Sequence, residues 1–403
     1  MNEDLEAYYG LPNKVQFCKK CVISNQRPNS TIEFKTQKGD KKQSINFNAD
    51  GLCSACVFHV EKENRINWKD RDLKLRALLD KFRSGDGSYD VIVPGSGGKD
   101  SAFTAHVLKY KYGMNPLTVT WAPHLYTDIG WKNMQKWMHV GGLDNILYTP
   151  NGILHKEMTK NAFHNLLHPF QPFIVGQRII GPAMAKKFGI KLVMYGENQA
   201  EYGNSIEENS NPIMDMDFFS SNDVLSMKFG DVSMQEYIDT GRYTKDDFIP
   251  YIAPDKQDLI DSGIEVHYLG YYLKWDPQEC YYYAVENTGF QANPQRTEGT
   301  YSKYSSIDDK IDPFHYFTTL IKFGIGRCTY DAAQEVRNDK ITREEAVHLV
   351  KKYDTEFPHI YFKEFLEYIG ATEDEFWKTI DKHRSPHLWE KNGEKWLLRH
   401  TVF

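Results

Sequence analysis

Between residues 71 and 200 the chain alternates short apolar runs with longer stretches of helical periodicity. The runs predict strands at 90–94, 117–122, 146–149 and 191–196, and the 3.6-residue pattern between them predicts helices at 101–112, 131–140, 153–167 and 173–188. Strand and helix in turn predict an α/β fold with a doubly wound parallel sheet. Ligands of such sheets sit beyond the carboxyl ends of the strands. That rule selects three loops: Gly95 to Ser101, Thr120-Trp121-Ala122 and Gly196-Glu197-Asn198. On either side the pattern changes. Residues 1–70 are polar and carry four of the six cysteines. Residues 201–265 are loop-rich and acidic, with Glu201, Glu207, Glu208 and Asp215 among their carboxylates, and read as a lid or insertion. From Pro313 onward helices return, two of them announced by capping boxes, Thr342 with Glu345 and Thr372 with Glu375.

The first of the three loops carries the chemistry. Pro94-Gly95-Ser96-Gly97-Gly98-Lys99-Asp100-Ser101 joins a predicted strand to a predicted helix. Glycines let the backbone approach an anion, and the N–H groups and dipole of the helix start hold it. Ser96 and Ser101 add hydroxyls, Lys99 a positive charge, and Asp100 a carboxylate suited to magnesium. The spacing is not that of the P-loop, which needs four residues between its first glycine and Gly-Lys. Ser-Gly-Gly-Lys-Asp-Ser resembles instead the PP-loop of the ATP pyrophosphatase superfamily, with its adenine nucleotide α-hydrolase-like fold. Those enzymes cleave ATP between the α- and β-phosphates. Backbone groups near Thr120 and Trp121 are candidates to hold adenine. Gly196 closes the site from the fourth strand, and Glu197 is either a metal or substrate ligand or a solvated loop carboxylate.

Cys18-Lys19-Lys20-Cys21 and Cys53-Ser54-Ala55-Cys56 form two Cys-x-x-Cys knuckles, the usual ligand set of a closed, structural zinc site. A redox pair and four buried thiols are the alternatives, and His59 could replace one ligand. The reading divides the chain into a zinc-knuckle region at 1–70, a nucleotide domain with its loop-rich insertion at 71–265, and a substrate-site segment with a helical subdomain at 266–403.

Composition narrows the function. The formal net charge is −6, so bulk charge does not favour nucleic acid. No apolar run reaches membrane-spanning length, and the acidic start has no apolar signal region. A cytoplasmic protein without disulfides is expected. Many of the 25 tyrosines lie between Tyr268 and Tyr304, a pattern suited to a wide, partly polar cleft wall as well as to plain packing. Residue 2 is Asn, so an N-terminal cysteine nucleophile is absent. Cys280 and Cys328 lie in no Gly-x-Cys-x-Gly elbow. If ammonia is the nucleophile, a separate glutaminase subunit is expected to supply it.

Several further motifs occur in order: Tyr195-Gly196-Glu197-Asn198, Tyr268-Leu269-Gly270-Tyr271-Tyr272 followed by Lys274-Trp275-Asp276-Pro277, Arg296 with Glu298-Gly299-Thr300-Tyr301, Lys322-Phe323-Gly324-Ile325-Gly326-Arg327 and Thr342-Arg343-Glu344-Glu345-Ala346. With the loop and the cysteine pairs, they resemble the N-acetyl sugar amidotransferases of the PseA and WbpG type over nearly the whole chain. One departure is the lysine- and glutamine-rich segment between the cysteine pairs, longer than that family leads one to expect. The resemblance implies conversion of an N-acetyl group on an acidic sugar, a nonulosonic acid or a nucleotide-linked diacetamido uronic acid, into an acetamidino group. ATP, magnesium and structural zinc would be needed, for flagellin or surface-glycan assembly, without nucleic acid or membrane. It further implies Lys322 and Arg327 as cations for phosphate or the sugar carboxylate, Lys274 and Arg296 as substrate contacts, and Glu298 as a substrate contact or base. The alternatives are a tRNA thiolase of the same superfamily and a non-catalytic nucleotide-binding subunit.

Overall fold

The computed structural model describes residues 5–204 and 210–403; Asn2 and the acidic Glu207 and Glu208 lie outside the described residues. In chain order the helices and strands are α1 (Ser54–Asn64), α2 (Trp68–Phe82), β1 (Val91–Pro94), α3 (Lys99–Tyr110), β2 (Pro116–Trp121), α4 (Asp128–His139) and β3 (Asp144–Tyr148). Next come α5 (Gly152–Leu166), α6 (Gln171–Phe188), β4 (Leu192–Tyr195), β5 (Lys228–Phe229), β6 (Val232–Ser233), α7 (Met234–Asp239), α8 (Lys256–Asp261), β7 (Glu265–Tyr268), α9 (Leu269–Tyr272) and α10 (Pro277–Thr288). The C-terminal part holds α11 (Asp312–Phe323), α12 (Arg327–Arg337), α13 (Arg343–Tyr353), α14 (Phe362–Ile369), α15 (Glu373–Lys382), β8 (Trp389–Asn392) and β9 (Lys395–Leu398).

β3, β2, β1, β4 and β7 form, in that order, one parallel sheet. Its central strands are apolar on both faces because helices cover both. Alternation along each strand sorts side chains between two cores. Ile92 and Val193 face the core built with α5, α6 and α11. Val91, Val93, Leu192 and Met194 face the core built with α2, α3, α4 and α10. A third cluster packs the cysteines against Cys328, Ala332 and Val336 of α12. The three sequence regions therefore share their cores; Leu11 and Phe34 of the first lie in the same cluster as Trp389 of the last.

The four anticipated strands and the helices between them are present, each shifted by a few residues at its ends. β7 is the strand of this sheet that the pattern missed. It is four residues long, mixes Glu265 and His267 with apolar residues, and crosses the division read at 265/266. The stretch from Ile213 to Ile264 is no loose cover: Phe219, Phe229, Phe248 and Tyr251 are buried in the core with α5 and α6.

Candidate active site

Strand order reverses at β1, with β2 and β3 on one side and β4 and β7 on the other. A crevice opens beyond the strand ends at such a point, and the glycine-rich loop lies there. Gly95 N–H extends the ladder to the Val119 carbonyl (3.0 Å) before the chain turns. A Cβ on Gly95 would lie 2.1 Å from that of Ser101, and one on Gly97, at φ +81°, would lie 2.9 Å from the Met134 Cα. The loop is folded so tightly onto the start of α3 that only glycine fits. Gly98 caps α3 without a side-chain bond, leaving first-turn N–H groups for an anion. The Ser96 hydroxyl donates to the Asp308 carboxylate (2.8 Å), pinning the loop to a residue far along the chain, and the Ser101 hydroxyl donates to the Gly98 carbonyl (3.1 Å).

The electrostatics centre on Asp100. It pairs with Lys99 at 2.5 Å, while its Oδ1 is buried with no hydrogen-bond partner among the described residues. Burial opposes the Lys99 charge, but the Asp100 and Glu197 carboxylates hold its pKa above the usual value. Glu197, just past β4, accepts from the Tyr202 hydroxyl (2.6 Å). Burial first, then the charge of Asp100, pushes its pKa up to about 7. Two crowded carboxylates, one with an orphaned oxygen, are a donor set that fits a divalent cation.

Asp100 borders three cavities. One of 180 Å³ is walled by Ser96, Gly97, Gly98, Lys99, Asn133 and Arg327. One of 260 Å³ lies toward Gly95, Ser101, Arg178, Tyr195, Gly196 and Glu197. The third, 390 Å³, includes Lys99, Glu197, Tyr202, Arg27, Arg327 and Lys340. Arg327 opens α12, lies over the Tyr316 ring (4.3 Å) and pairs with Asp331 one turn on (3.1 Å). Burial opposes its charge too, yet Asp331, Tyr316 and Asp312 keep its pKa raised. Arg27 is buried and donates only to neutral groups, the Pro28 carbonyl (3.3 Å) and Asn204 Oδ1 (3.4 Å); no carboxylate pairs with it among the described residues.

Beside this crevice, Cys18, Cys21, Cys53 and Cys56 are fully buried with their sulfurs all within 4.8 Å of one another. Cys18 and Cys56 are 3.7 Å apart, Cys21 and Cys53 3.8 Å. One tetrahedral ion with metal–sulfur bonds of about 2.3 Å sets its sulfurs about 3.8 Å apart, so the four fit a single metal ion. His59 stands outside the set, with Asp339 at 4.0 Å. Arg337 ties the cluster to the crevice: one guanidinium nitrogen lies 4.0 Å from Cys21 Sγ, and another donates to the Glu201 carbonyl (3.1 Å). The Glu201 carboxylate pairs with Lys62 of α1 (3.0 Å). Tyr202, the donor to Glu197, is the next residue.

Residues 298–402 match the family model for the C-terminal domain of WbpG-like LPS biosynthesis proteins. This WbpG-like domain supplies Tyr304, Arg327, Asp331, Glu335 and Lys340 to the 390 Å³ cavity, so the resemblance read from the motifs stands at the domain that roofs the loop. No curated protein matches the sequence. Three solved structures to which the chain is similar are the NH3-dependent NAD synthetase of Campylobacter jejuni, the NMN synthetase of Francisella tularensis and the U34-tRNA thiolase NcsA of Methanococcus maripaludis with its 4Fe-4S cluster. The first is 15% identical over 32% of this chain and 56% of that one (TM-score 0.26). The second is 12% identical over 72% and 93% (0.30), the third 13% over 83% and 88% (0.31). The chain thus spans little more than half the length of the NAD synthetase.

The structure brings together Gly95 through Ser101, Gly196, Glu197 and, from the WbpG-like domain, Arg327. Other anticipated residues lie elsewhere. Lys322 precedes the left-handed turn at Gly324 that ends α11 and points the opposite way, donating to the Leu166 carbonyl (2.9 Å). Lys274 pairs with Glu63 (2.6 Å) and Arg296 with Glu356 (2.6 Å). Glu298 accepts the Ile360 N–H (2.9 Å) at the surface. Thr120 and Trp121 are engaged within the sheet: both sit in register with β3, Thr120 Oγ1 accepts from Asn145 (2.9 Å), and the Trp121 ring stacks on Tyr148 (6.0 Å). Sequence reasoning missed Arg27, Tyr202 and Asp308. The adjacent acids Asp308-Asp309 before the α11 start were a usable signal; Arg27, inside the polar segment between the knuckles, had none.

Proposed function

We propose that this protein is an ATP-dependent N-acetyl sugar amidotransferase that turns the N-acetyl group of an acidic sugar into an acetamidino group, with ammonia from a separate glutaminase. The observation that carries the reading is the junction at Asp100, where the anion-holding loop opens directly into an arginine-bearing cavity walled by the WbpG-like domain. ATP phosphates would lie on the loop N–H groups, Lys99 and Arg327. The sugar carboxylate would meet Arg27, a buried cation with no acidic partner among the described residues and therefore favouring an anion that enters with substrate.

The amide oxygen attacks the α-phosphorus of ATP and pyrophosphate leaves. Ammonia adds to the activated carbon, and AMP departs with the former amide oxygen. Amide resonance makes direct attack slow, and adenylation converts the oxygen into a leaving group. Lys99 and the loop N–H groups would stabilise charge on the departing pyrophosphate. Asp100 and Glu197 would hold magnesium, which supplies further neutralisation when bound. The four cysteines would hold zinc, closed to substrate and structural.

Cys280 and Cys328 are buried, and burial raises the pKa of both thiols. Neither has the lowered pKa of a reactive thiol, which supports an external ammonia source and disfavours a thiol-dependent sulfur transfer. The test is pyrophosphate release from ATP with ammonium and N-acetylated acidic sugars. Release only with tRNA and a sulfur donor would replace this reading with the thiolase; no release under either condition would leave a nucleotide-binding subunit.

A further inference from the structure

We propose that a separate cavity, 370 Å³, between the lysine-rich segment of the N-terminal region and the end of α11, is a binding site for a phosphate-bearing small molecule. Lys322 and Lys42 face into it, with His168, Tyr9 and the 37–41 turn completing its wall. It is distinct from the three cavities at Asp100 and shares no lining residue with them.

Lys322 makes the case. It is 5% exposed. Its ammonium has three protons to donate and, among the described residues, bonds only the Leu166 carbonyl, resting otherwise against the Tyr9 and Phe323 rings. No carboxylate pairs with it within 4 Å among the described residues. The acid whose charge acts on it, Glu33, is engaged by His168 at 3.3 Å. Burial and the like charge of Lys42 lower the Lys322 pKa to about 7, so the two cations strain against each other. A buried cation without a partner is costly, and a phosphate dianion neutralises both ammonium groups at once. Gly10, at φ +70°, lets the chain pass so near Lys41 that a Cβ would lie 2.7 Å from the lysine Cβ, which fixes the lysine turn over the cavity. The volume exceeds a bare phosphate and leaves room for a sugar-sized group beside the Tyr9 ring. This gives a role to the segment between the cysteine pairs that the loop chemistry does not use.

Isothermal titration of the full-length protein with inorganic phosphate, glucose 6-phosphate and glucose tests the proposal. Glucose 6-phosphate or phosphate should bind at one site and glucose should not; the ratio of the two affinities reports how far the sugar is read. Lys322→Met and, separately, the half-exposed Lys42→Ala should each weaken binding at least tenfold while melting cooperatively. Ser96→Ala, at the other site, should leave it unchanged. No binding of either phosphate compound at millimolar concentration, affinity unmoved by both lysine substitutions, or loss of binding in Ser96→Ala would overturn it.

Discussion

At the scale of single residues, the charges that matter most are those of Asp100, Glu197, Arg27 and Arg327. Removing one preorganised charge at a reacting phosphate typically costs about 10²–10³ in kcat. Asp100→Ala and Lys99→Met should therefore lower pyrophosphate release by at least that factor while the protein still melts cooperatively; near-normal turnover in both would sink the loop assignment. Arg27→Met should raise the KM for the sugar more than tenfold and leave the KM for ATP nearly unchanged, as steady-state kinetics with each substrate varied would show. Glu197 also carries a pH signature. Its pKa is raised from 4.5 to about 7 in the fold, so the folded protein binds this proton more tightly than the unfolded chain. Stability then falls as pH rises from about 4.5 to about 7 and stays lowered above. Glu197→Gln removes that loss. In magnesium-free buffer its melting temperature should exceed that of the parent by more at pH 8 than at pH 5, and an equal difference at both would refute the shifted carboxyl.

At the scale of elements, the loop and the cysteine knuckles do the positioning. Gly97→Ala places a Cβ against the α4 backbone at a positive φ; strain of about 1–3 kcal/mol should appear as a lowered melting temperature together with lost turnover. The cysteine geometry predicts one zinc per chain by elemental analysis of freshly purified protein, and iron, or no metal, would contradict it. These two elements were legible in the sequence because each is a local pattern whose chemistry depends on spacing alone. The central strands were legible because burial on both faces writes them as continuous apolar runs. β7 was not, since a strand of four mixed residues acquires its identity from pairing with β4. The short motif it shares with Arg327 points Lys322 to phosphate or the sugar carboxylate. The Gly324 turn between α11 and α12 sends the two side chains into different cavities, and motif proximity cannot express that. Arg27 and Asp308 reach the site only through tertiary folding; the Asp308-Asp309 pair left a local trace of this, and Arg27 left none.

At the scale of the molecule, the parallel sheet presents the loop, the cysteine region braces it through Arg337 and Glu201, and the WbpG-like domain closes over it. The three share cores, so the cavity at Asp100 belongs to none of them alone. The most direct test of the central claim is product analysis by mass spectrometry after incubation with ATP, magnesium, ammonium and a panel of N-acetylated acidic sugars. AMP and pyrophosphate should appear in step with a sugar lighter by about one mass unit, as the amide oxygen is exchanged for NH. ATP cleavage that leaves every sugar unchanged would contradict it.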